Sequence, residues 1–115
     1  MDKERCAVPL FLADILDYAT KASALVEGME WEQFEADEKN QLAAVRCLEI
    51  IGEAAAKLPR EFHDRHPALP WAEMIGMRNR IIHDYFEVDM EFCWRTITRD
   101  LPTLIPRLQE MISAI

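Results

Sequence analysis

Apolar side chains recur every three to four positions along almost the whole of this 115-residue chain, and no stretch alternates with the two-residue period of a half-buried strand. Phe11, Ile15, Tyr18, Ala22 and Leu25 form one helical stripe, with Leu12, Leu16 and Ala19 beside it. The expected first helix runs from Pro9, tolerated in a first turn, to Glu27, and Gly28 is its natural stop. Trp31 and Phe34 then anchor a short acidic connection of about one helical turn.

Asp37 can cap a second helix reaching Leu58, with Pro59 ending it. From Leu42 onward this helix is apolar nearly all round, and Arg46, Glu49, Glu53 and Lys57 make one narrow polar stripe. Such a helix expects cover on two sides, from its own bundle and from a second subunit. Gly52 and the alanines 54–56 permit a close helix approach, and Glu53 can border a cleft. Residues 59–70 read as a connector holding three prolines, with His63 and His66 as solvated loop histidines. Pro70 opens a third helix through Trp71, Met74, Ile75, Met77, Ile81 and Ile82, ending near His83. Asp89 caps the next helix, with Val88 stapled against Cys93, and Pro102 imposes a kink or a fresh start. Leu104, Ile105, Leu108, Met111 and Ile112 carry the apolar face to the C-terminus. The expected fold is all-α, a four- to five-helix antiparallel bundle in one domain spanning residues 1–115.

Composition excludes several classes. No apolar run approaches the roughly 20 residues that cross a bilayer, and Met1–Arg5 leads into a helix without a leader pattern, so a cytoplasmic protein is expected. Cys6, Cys47 and Cys93 are odd in number and widely spaced, which suits buried free thiols and neither a disulfide framework nor a zinc site. The net charge of −8 argues against a protein that coats nucleic acid electrostatically. The charge is uneven, however: residues 1–58 hold 12 acids and 6 bases, residues 59–115 hold 9 acids and 7 bases, and those seven bases are all arginine. Arginine is the side chain best matched to phosphate, so a local phosphate site inside an acidic body is compatible with the count.

The polar residues gather in one place. Gly76-Met77-Arg78-Asn79-Arg80-Ile81-Ile82-His83-Asp84-Tyr85-Phe86 crowds arginine, asparagine, histidine, aspartate and tyrosine into a short span, while Met74, Met77 and Ile81 form its core-facing stripe. A guanidinium can neutralise a phosphodiester in a fork geometry, and an imidazole moves protons near neutral pH. Arg78 and His83 therefore suit RNA cleavage. Five residues at about 100° each set them about 140° apart around the axis. Convergence on one phosphate then needs a long arginine wrapping round, a helix that ends before His83, or a twofold partner. The bland reading is that these cations sit in the last turns because the helix dipole favours them there.

Ile50-Ile51-Gly52-Glu53-Ala54-Ala55, Pro70-Trp71, Gly76-Met77-Arg78-Asn79, His83-Asp84-Tyr85-Phe86, Val88-Asp89 and Asp100-Leu101-Pro102 stand in an order that closely resembles the HepT-like branch of the HEPN superfamily. The resemblance covers nearly the whole chain, and its Arg-x4-His-x-Tyr pattern is matched by Arg78, His83 and Tyr85. It implies a helical homodimer with both motifs meeting in an interface cleft. It also implies a metal-independent RNA endonuclease, needing no cofactor, as the toxin of a type II-like toxin–antitoxin pair. Arg78 and His83 would be catalytic, with Asn79 and Asp84 supporting. The implied partner is a minimal nucleotidyltransferase antitoxin that AMPylates Tyr85. The rival expectation is a non-catalytic helical module that binds such a nucleotidyltransferase, or a nucleotide, without cutting RNA.

Overall fold

A computed structural model of the chain describes residues 3–83 and 89–115, with side chains over residues 7–81 and 89–115. Those residues form an all-α bundle with no strand among them. In chain order the elements are α1 (Lys3–Val26), α2 (Trp31–Glu35), α3 (Glu38–Lys57), α4 (Arg60–Arg65), α5 (Trp71–His83), α6 (Met90–Arg95), a π-helical turn (Thr96–Asp100) and α7 (Leu101–Ala114). Four long rods make the body: α1, α3, α5 and the bent rod running from α6 through α7.

α3 is the hub, packed between α1 and α5. The Asp37 carboxylate accepts from the Asn40 N–H at 3.0 Å and caps its start, as expected of that residue. Asn40 Nδ2 in turn donates to the Leu25 carbonyl at 3.1 Å, fixing the return from α1. Gly28 makes that return with a φ of +77°, a conformation glycine enters without a Cβ penalty. Leu12, Ile15, Leu48, Ile51, Ile97 and Leu108 are fully buried where the rods meet. Phe34 on α2 is also fully buried, with its ring 5.3 Å from that of Trp94, so the short acidic connection is tied to α6.

Three expectations need correction. The first helix opens by Lys3 rather than at Pro9, and Pro9 lies inside it. A proline near a helix start forfeits one i→i−4 bond, a loss that the buried stripe from Val8 through Ile15 outweighs. Residues 59–70 are no plain connector: Pro59 starts α4, with an Arg65–Glu61 ion pair along it. Nor are the two histidines solvated. His63 is half-buried, stacked on Trp71 with ring centroids 4.8 Å apart, and its Nε2 lies 2.9 Å from the Ala55 carbonyl. His66 packs on Phe62 at 4.4 Å, and its carbonyl accepts from Trp71 Nε1 at 2.8 Å. This small aromatic cluster seats the start of α5 against the end of α3.

At Pro102 the helix does change. Proline offers no N–H, and the preceding turn widens so that the Leu101 N–H bonds to the Thr96 carbonyl, five residues back. The Thr96 and Thr98 hydroxyls donate to carbonyls four residues back, at 2.9 and 2.8 Å. Asp89 caps α6 through the Phe92 N–H at 3.1 Å, whereas the Val88 staple lies outside the described residues. Cys47 and Cys93 are buried free thiols, as expected; the Cys6 side chain lies outside the described residues. No described helix is long and apolar enough to cross a membrane.

Candidate active site

The candidate site grows from the contact between α3 and α5. Met74, Met77 and Ile81 are buried along one stripe of α5, as their spacing requires. That stripe brings α5 so close to α3 that a Cβ on Gly52 would overlap the Cβ of Arg78 and lie 2.8 Å from the Met74 carbonyl oxygen. Only a residue without a side chain fits there. Gly52 thus sets the depth at which Arg78 leaves the helix.

Arg78 is half-buried and has two neighbours. Its Nε and Nη2 donate to Asn79 Oδ1 at 3.2 and 2.9 Å, and its Nη1 lies 3.8 Å from Glu53 Oε1 on α3. Arg80, two positions on, turns the other way. It pairs with Asp89 Oδ2 at 3.2 Å and rests its guanidinium 4.3 Å from the centre of the Phe92 ring.

The helix α5 continues through His83, so the route in which the helix ends before that residue is closed. Arg78 is folded onto Asn79 and toward Glu53, and it does not wrap round α5. The side chain of His83 and the whole of Asp84 and Tyr85 lie outside the described residues. Of the residues singled out from sequence, the structure brings together Arg78, Asn79 and Glu53. By sequence, Glu53 falls in a salt-bridged exposed stripe with Arg46, Glu49 and Lys57 that can border a cleft. Its signal was its position one residue after the glycine of a close approach.

On the other side of α5 a groove of about 530 Å³ opens toward the π turn and α7. Met74 and Met77 from α5 and Leu101 and Leu104 from α7 line its apolar part, with Arg80, Arg99 and Arg107 at its edges alongside Glu73 and Asp100. Arg107 Nη1 donates to the Ala68 carbonyl at 2.9 Å. Sequence reasoning missed Arg99 and Arg107 as individuals, although the all-arginine composition of the second half pointed their way. Among the described residues no group of three or more histidine, cysteine, aspartate or glutamate side chains is placed to hold a metal ion.

The sequence model of the family described as Ribonuclease HepT-like matches residues 15–111. A Methanocaldococcus jannaschii protein named "Putative RNase MJ1216" is 36% identical over 108 residues, covering 94% of this chain and 89% of its own. "Probable ribonuclease HepT" of Thermococcus cleftensis is 38% identical over 88% of this chain and 92% of its own. "Putative RNase TTE0752" of Caldanaerobacter subterraneus is 39% identical over 89% and 91%. No solved structure matches. A family match across four fifths of the chain, with relatives aligned nearly end to end, is decisive: the chain belongs to the HepT-like ribonuclease family.

Proposed function

We propose that this protein is a metal-independent RNA endonuclease whose catalytic site is shared between two protomers. The observation that carries the reading is the held arginine. Arg78 is fixed in depth by Gly52 and braced by Asn79 and Glu53, on a helix that continues to His83, in a chain whose relatives bear ribonuclease names. In the proposed reaction Arg78 bonds the scissile phosphate and offsets the charge that builds on it. His83 exchanges a proton with the attacking or leaving oxygen. Asn79 orients the guanidinium, and Asp84 supports the imidazole.

Helix geometry supports a homodimer. Positions 78 and 83 diverge by about 140° on one continuous helix, so in this reading Arg78 of one protomer works with His83 of its partner. A twofold axis makes two such pairings at once. Mixing Arg78→Ala protein with His83→Ala protein tests this directly. Paired across the interface, mixed dimers regain one intact site of two, and cleavage returns to about a quarter of wild type by random assortment. No recovery, with subunit exchange verified, contradicts a shared site.

In this reading the chain is the toxin of a type II-like toxin–antitoxin pair. Its partner is a minimal nucleotidyltransferase that transfers AMP to Tyr85. An adenylyl group there adds bulk and negative charge two residues from His83 and repels an RNA phosphate. The net charge of −8 gives the non-catalytic module its one supporting observation. Loss of cleavage in Arg78→Ala or His83→Ala protein separates the two.

A further inference from the structure

We propose that the groove between α5 and the π turn receives an unpaired base of the RNA strand next to the cleavage point, with Arg99 and Arg107 on the flanking phosphates. This rests on the ribonuclease reading and adds the substrate form: single-stranded RNA, read at one position.

Three observations converge on the groove. Its volume of about 530 Å³ falls within the roughly 300–1,000 Å³ of small-ligand sites, room for a base and its sugar. Its lining is the right chemistry for a planar aromatic guest. Met74 and Met77 present soft, polarisable surface, and the Arg80 guanidinium already lies over Phe92, offering a flat cation for a base to stack on. Its rim carries three arginines beside the carboxylates Glu73 and Asp100; Arg80 is paired with Asp89, which leaves Arg99 and Arg107 as the cations that can face a phosphate. Arg99 is exposed at the groove, where its guanidinium can meet a phosphate.

The π turn supplies the second part of the argument. Such turns interrupt α-helices rarely and frequently at functional sites. Here the interruption follows from Pro102, and the widened turn brings Thr96, Arg99 and Asp100 to the groove.

Helix geometry links groove to chemistry. Position 83 follows position 76 by seven residues, which places the two within about 20° around α5 and roughly 10 Å apart along it. Gly76 is the outermost of the α5 residues that line the groove, so position 83 continues the groove's edge along the helix. A strand that leaves the groove over that edge carries its next phosphodiester toward position 83.

The test uses full-length His83→Ala protein, in which the RNA stays intact, and single-stranded oligoribonucleotides carrying 4-thiouridine. Binding is followed by fluorescence anisotropy, and photocross-links are mapped by mass spectrometry. Adding Arg99→Glu should weaken binding about tenfold. Arg95→Glu, an equal charge change at an exposed position outside the groove, should cost less than about threefold. Cross-links should fall on Met74, Met77 or Phe92. Equal losses in the two variants, or cross-links elsewhere, overturn the groove assignment while wild-type cleavage leaves the ribonuclease reading standing. Unchanged RNA binding with loss of dimer or of a bound protein partner in Arg99→Glu makes the groove a protein surface and overturns it too. Wild-type protein that neither binds nor cuts RNA removes the ribonuclease reading first, and the groove proposal with it.

Discussion

Gly52 on α3 lies so close to Arg78 on α5 that the missing side chain of one sets the position of the other. Two helices normally meet through side chains, at 8–10 Å between axes. Here the backbone of Arg78 approaches the glycine itself: a Cβ would stand 3.2 Å from Arg78 Cα and 2.8 Å from the Met74 carbonyl.

Replacing glycine by alanine inside a helix ordinarily stabilises by about 1 kcal/mol. Gly52→Ala should reverse that sign, costing about 1–3 kcal/mol as the helices separate, and should lower RNA cleavage with it. Gly76, on an exposed face of α5 with nothing within 4 Å of an added Cβ, is the control. Gly76→Ala should gain about 0.5–1 kcal/mol. Thermal and urea denaturation of the pair read the two signs; a stabilised Gly52→Ala variant would contradict the close approach.

Cys93 carries a pH dependence. Burial pushes its thiol from the ordinary 9.0 up to about 11, with nearby Asp89 adding to the rise. The unfolded chain releases this proton near pH 9 while the folded chain holds it, so the unfolded state binds fewer protons between the two values. Stability attributable to Cys93 is therefore whole below pH 9 and is lost as pH rises through 11, by roughly 2–3 kcal/mol in total. Cys93→Ala should flatten the pH 9–11 limb of the denaturation midpoint, and native protein at pH 8 should resist alkylation at this thiol.

Asp89 has two duties, capping α6 through the Phe92 N–H and pairing with Arg80. Asp89→Asn keeps the cap and loses only an exposed ion pair, so a change within about 1 kcal/mol is expected. Asp89→Ala loses both, at about 0.5–2 kcal/mol for the cap alone. Equal destabilisation by the two substitutions, measured by urea denaturation, would place the weight on charge instead of capping.

In the proposed function Tyr85 is a regulatory acceptor rather than a catalytic residue. Tyr85→Phe should keep RNA cleavage and escape neutralisation when the nucleotidyltransferase and ATP are supplied. A loss of cleavage equal to that of His83→Ala would make Tyr85 part of the catalytic machinery and overturn this assignment.

Much of this was legible in the sequence where one residue type has one job. Gly28 ends α1, Asp37 and Asp89 cap, and Met74, Met77 and Ile81 face the core because their spacing leaves no other face. What escaped depends on neighbours distant in sequence. Three prolines between residues 59 and 70 look like a breaker, yet α4 is held by Phe62, His63, His66 and Trp71 packing on one another. Six residues are too few to show a periodicity. Pro102 announced a change of direction without saying that the preceding turn would widen into a π turn. Arg99 and Arg107 looked like ordinary surface arginines until the fold set them at one groove with Arg80.

RNA cleavage by purified protein in EDTA, wild type beside His83→Ala with both confirmed folded and dimeric, tests the central claim most directly. The account predicts cleavage by wild type alone. Cleavage by neither, across several RNA classes and with Tyr85 verified unmodified, would contradict it and leave a helical module that binds without cutting.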